Sequence, residues 1–121
     1  IDKSLNLNST IGEYSFTLEF DSELKAGEAA MAKITVRKNG TPFKQLEPIM
    51  GAFAHVVGFN EDYKSIMHIH PLGQEPEKES ERGGSVLEFH VEPEKAGFTK
   101  LFAQFRIDNK DVFAPFGVMV K

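Results

Sequence analysis

The chain has no cysteine and no tryptophan. The missing thiol excludes iron–sulfur clusters, Cys-ligated zinc, thiolate copper centres and any cysteine nucleophile. Positive charge is also short: 14 Lys and Arg against 18 Asp and Glu leave a net charge of −4. That balance argues against a nucleic-acid partner. The longest uninterrupted apolar run is a few residues, so no segment reads as a transmembrane helix. There is no GxSxG, P-loop or GxGxxG motif. The first residues, IDKSLNLNST, lack Met and look like a processed or trimmed start, as in an exported protein that has lost a leader or anchor.

What is present is a chain of 121 residues, the size of one domain, with 11 Phe spread along it. Residues 1–12 read as a tether or a loosely held first strand. From there apolar and polar residues alternate. Tyr14, Phe16, Leu18 and Phe20 share one face. Ala30, Ala32, Ile34 and Val36 share another, with Met31, Lys33, Thr35 and Arg37 on the reverse. Leu87, Phe89 and Val91 point inward, with Glu88 and His90 outward. Asn39-Gly40 and the DNKD stretch mark turns. The Glu-rich segment after Pro71 reads as a solvated loop. Pro115 marks its strand as an edge or a bulged one. The whole predicts an all-β fold, an immunoglobulin-like β-sandwich of about seven antiparallel strands in a single domain over 1–121.

Three of the four histidines fall in GAFAHVVGFNEDYKSIMHIHP: His55, His68 and His70. If HVVGF and IMHIH form a hairpin closed through residues 60–65, Phe59 faces Ile66, Val57 faces His68 and His55 faces His70. All three imidazoles then share a face, with His55 and His70 Cβ atoms roughly 4.5–5.5 Å apart. A slip of one residue throws His55 to the other side. The relation of His68 to His70 needs no register, only a strand. Three neutral imidazoles suit zinc or copper(II). Met50 and Met67 bring thioethers nearby in sequence, although alternation turns Met67 away from His68. His90 and Glu88 form a second outward pair that joins the set if their strand is adjacent. Glu61 and Asp62 are candidate partners for the second ring nitrogens. The competing reading is that these histidines only pack and hydrogen-bond.

LEPIMGAFAHVVGFNEDYKSIMHIHP, with GGSVLEFHVEPEKAGFTKLFAQFRIDNKDVFAPFGVMV, resembles a group of bacterial exported domains similar to the YtkA-like group. The shared features are Gly51-x-x-x-His55, His68-x-His70-Pro71 and Ala114-Pro115-Phe116-x-Val118, over roughly residues 46–120. The resemblance implies an immunoglobulin-like sandwich in the periplasm, on the cell surface or secreted, sometimes beside copper or heavy-metal handling. It maps candidate ligands onto His55, His68 and His70. The chain departs from the pattern at Phe98, where Tyr is expected.

These readings predict an exported copper- or zinc-binding domain, possible partners being the metal ion or another protein, with a tether to the envelope. The alternative is a structural or protein-interaction module of a larger surface protein. A metalloenzyme ranks last, because no general base flanks the histidines.

Overall fold

Every second side chain from Tyr14 to Phe20 is apolar, and that stretch is a strand with Phe16 and Leu18 buried. The same logic holds along the chain in the computed structural model, which describes residues 5–62, 66–73 and 75–121. The strands are β1 (Asn8–Ile11), β2 (Tyr14–Phe20), β3 (Ala30–Lys38), β4 (Thr41–Pro42), β5 (His55–Asn60), β6 (Ile66–Pro71), β7 (Val86–Glu92), β8 (Gly97–Ile107) and β9 (Lys110–Val120). Seven have six residues or more; β1 and β4 are short additions. No helix occurs among the described residues, so none there is long and apolar enough to cross a membrane.

All ladders are antiparallel, in the order β1-β2-β3-β7-β6-β5-β8-β9, with β4 paired to β3. One layer is β2-β3-β7-β6 and the other β5-β8-β9, which is the connectivity of an immunoglobulin-like sandwich. Asn39 (φ 50°) with Gly40 (φ 82°), and Asp108 (φ 50°) with Asn109 (φ 61°), build tight hairpins. Their left-handed backbone matches the strand twist, and Asn, Asp and Gly tolerate it best. The β8–β9 register runs unbroken from Gly97↔Val120 to Ile107↔Lys110, so Pro115 marks an edge strand without a bulge.

Between the layers lies a Phe-rich core. The Phe16 and Phe105 rings stack at 4.7 Å between centroids, and both are fully buried with Phe89 and Phe116. Burying such a ring contributes about 1.5–3 kcal/mol. Phe98 is also buried, and carries no hydroxyl to anchor a tyrosine corner.

Both sides of the sandwich are stitched. At one, Asn6 exchanges two backbone hydrogen bonds with Gly117 of β9 (2.8 and 2.9 Å), while Leu7 accepts one from Leu18 of β2. At the other, β6 changes partners. Its first residues pair with β5, as Phe59↔Ile66 and Gly58↔Met67. From His68 to Pro71 it pairs with β7 instead. Gly58 makes the first contact possible: a Cβ there would lie 2.6 Å from Leu101 Cδ2 and 3.1 Å from Met67 Cβ.

Candidate functional site

The partner change in β6 decides where the histidines go. The expected pairing of Phe59 with Ile66 is present, but the hairpin ladder stops one step later. His70 therefore lies opposite His90 of β7, and His68 opposite Glu92. His55 lies opposite Gln104 of β8, in the other layer. The sequence-based pairing of His55 with His70 is thus replaced, because β6 crosses between layers after Met67. Continuing along β5 would hold Ile69, which packs against the core, and the buried Met67 in one layer only; crossing lets both seal the open side of the sandwich.

His55 has a local task. Its Nε2 is 2.7 Å from the Ile49 carbonyl oxygen, so the ring N–H donates there. The same carbonyl accepts from Ala52 N, closing a turn whose central residues are Met50 (φ 46°) and Gly51 (φ 81°). Met50 lies in that turn, 77% exposed. Met67 is 3% exposed and faces the core. The Met67 thioether thus faces away from His68 and His70. Asp62 is engaged by Lys95 Nζ at 2.9 Å, at the β5–β6 turn.

On the outer face of the β2-β3-β7-β6 layer, His68 and His70 of β6 stand beside Glu88, His90 and Glu92 of β7. Alternation on each strand puts these side chains on the wet side, opposite the buried Phe89 and Val91. His90 Nε2 is 2.9 Å from Glu92 Oε1. His68 Nε2 is 2.9 Å from Glu94 Oε1, just beyond β7. A carboxylate in that position accepts from the ring's Nε2–H and leaves Nδ1 as the nitrogen through which the ring can meet an ion. His70 has no side-chain hydrogen bond to the described residues. Glu88 pairs in register with Lys33 of β3.

Glu92 is the electrostatic centre of the group. The hydrogen bond from His90 holds its carboxyl below the ordinary carboxylate range, helped by the charges of His90, His70 and His68. Among the described residues no set of three or more His, Asp and Glu side chains is gathered closely enough to hold a metal ion in these rotamers.

Sequence reasoning named His68, His70, His90 and Glu88 but passed over Glu92 and Glu94. Glu92 was visible as the next outward position after Glu88 and His90. Glu94 follows the strand and carried no periodic signal.

No curated protein matches this chain. Among solved structures, it is similar to domains 4 and 5 of the S-layer protein SbsC, at 17% identity and a TM-score of 0.45, over 86% of this chain and 50% of that one. It thus spans about half the length of that S-layer chain. It is also similar to a conjugative transposon lipoprotein from Bacteroides eggerthii, at 10% identity and 0.46, over 84% of this chain and 94% of the other. A third similarity is to the GAE domain of GGA2p from Saccharomyces cerevisiae, at 10% identity and 0.42, over 100% and 94%. The family model of a domain of unknown function, DUF8832, matches residues 9–121, and the chain belongs to that family.

Proposed function

We propose that this domain is a metal-binding module that takes copper or zinc on the outer face of its β2-β3-β7-β6 layer. His68, His70 and His90 supply the imidazoles, and Glu92, which lies opposite His68 and bonds His90, is the carboxylate among them. The observation that carries the reading is the pairing of His70 with His90, with His68 two residues along the same strand. Directly opposed Cβ atoms on antiparallel strands are roughly 4.5–5.5 Å apart, and diagonal ones roughly 7–8 Å or less. Imidazole nitrogens pivoting from those positions reach a shared ion at about 2.0–2.1 Å. The approach requires side-chain rotation, which exposed residues complete in picoseconds to nanoseconds. His55 drops out of the ligand set proposed from sequence, and His90 takes its place.

The exposed position suits an ion that is captured and released, since nothing covers it among the described residues. The exported, envelope-attached location and the finer likeness to the YtkA-like group belong to this reading as proposals. Calorimetric titration of the apo protein with zinc and with copper(II) tests it. Wild type should bind, and the variant His68→Ala/His70→Ala/His90→Ala should lose most of the affinity. Equal binding by both proteins overturns the proposal.

One observation favours the alternative, a protein-interaction module. The outer face of the β5-β8-β9 layer carries Val57, Phe113 and Met119, all exposed, around the Phe59–Phe102 ring pair. If wild type takes up neither metal, the histidines serve only in ion pairs and this reading replaces the first.

A further inference from the structure

We infer that the same site prefers copper(I) over zinc, because Met31 supplies it with a thioether; this rests on the metal-binding reading above. β3 flanks β7 on the side opposite β6. Met31 pairs with His90, and His90 pairs with His70. The three residues form one row across three strands, on one face. With strands about 4.7–4.9 Å apart, the row spans roughly 10 Å from Met31 to His70, with His90 in the middle.

Met31 is not placed as core filler. Its strand neighbours Ala30 and Ala32 are buried, and it points the other way, half-buried among polar groups. Its backbone is pinned, since Met31 N donates to Asp21 Oδ1 at 2.9 Å. Met31 borders a shallow recess of about 260 Å³ together with Phe20, Lys33 and Glu88, the last on the same face of β7 as His90. Of the four methionines, Met67 faces the core, Met50 lies in the turn whose Ile49 carbonyl His55 holds, and Met119 lies on the opposite layer. Met31 alone joins the histidine row.

The chemistry follows from donor softness. A thioether is a soft ligand that selects copper(I), while imidazole serves zinc and copper alike. Removing the sulfur should therefore weaken copper(I) binding and leave zinc binding alone.

The test uses the whole domain and copper(I) held by a chromophoric chelator in a competition assay. Met31→Leu should lower copper(I) affinity by about 10-fold or more, the scale on which loss of a metal-site partner acts. Its zinc affinity should stay within about twofold of wild type. Copper-edge X-ray absorption gives a second readout. With no cysteine in the chain, any sulfur scatterer is a methionine, and Met31→Leu should abolish it. Unchanged copper(I) affinity, or no sulfur scatterer in the wild type, overturns the inference while the zinc site stands. If the wild type binds neither metal, the underlying reading fails as well.

Discussion

His70 and His90 occupy paired positions on adjacent antiparallel strands, twenty residues apart in the chain and one strand apart in space. Neither ring is fixed by the other. His90 is turned along its own strand to Glu92, while His68 is turned to Glu94. The result is a surface with three imidazoles, two of them with their own carboxylate partners, supported from below by Val91 and Phe89 in the core. An ion arriving there competes with carboxylates rather than with water alone.

The Glu92 carboxylate gives the domain a predicted acid response. Its folded pKa lies below the ordinary 4.5, first through the His90 hydrogen bond. A depressed folded value means that the ionised form is favoured by folding. That contribution is present above the unfolded pKa and is lost as pH falls through the folded one. Urea midpoints measured downward from about pH 5 should therefore fall less in Glu92→Gln than in wild type. Parallel curves would show that solvent screens the pair completely, as it does for many exposed pairs.

His55 is predicted to matter for stability and not for metal. His55→Ala removes the donor to the Ile49 carbonyl and should cost about 1 kcal/mol in urea unfolding. Its zinc and copper affinities should equal those of wild type in the same calorimeter. A large loss of metal affinity would mean that His55 reaches the site after all.

Gly58→Ala tests the crossing point of β6. The new methyl would meet Leu101 and Met67, both packed in the core. Overpacking of this kind costs about 1–3 kcal/mol. Because Met67 immediately precedes His68, the variant should also weaken metal binding by disturbing β6. An unchanged urea midpoint would show that β6 does not need the close approach.

Much of the fold was legible because it depends on neighbours in sequence. Alternation placed Phe16 and Leu18, then Ala32 and Ile34, then Phe89 and Val91, on inward faces, and all are buried. Asn39-Gly40 marked a hairpin by its tolerance of positive φ, and the hairpin is there. Strand β4 escaped notice, since two residues are too few to show a period, and β1 was legible only as a tether or loosely held first strand within residues 1–12. At the site, His68 and His70 shared a face on strand geometry alone. The hairpin start at Phe59↔Ile66 was also readable, because loop closure and an apolar pair are local signals.

What the sequence by itself determined is each strand's own two faces: Met31 on the reverse of Ala30 and Ala32, His68 with His70, and Glu88 and His90 outward. What only the tertiary structure decided is which strand lies beside which. Periodicity describes a strand's faces but not its edges, and edge pairing is chosen by the need to cover the core from both layers. β6 starts beside β5 and finishes beside β7, because Met67 and Ile69 must close the gap between the layers. That crossing separates His55 from His70 and gives His70 a new neighbour in His90.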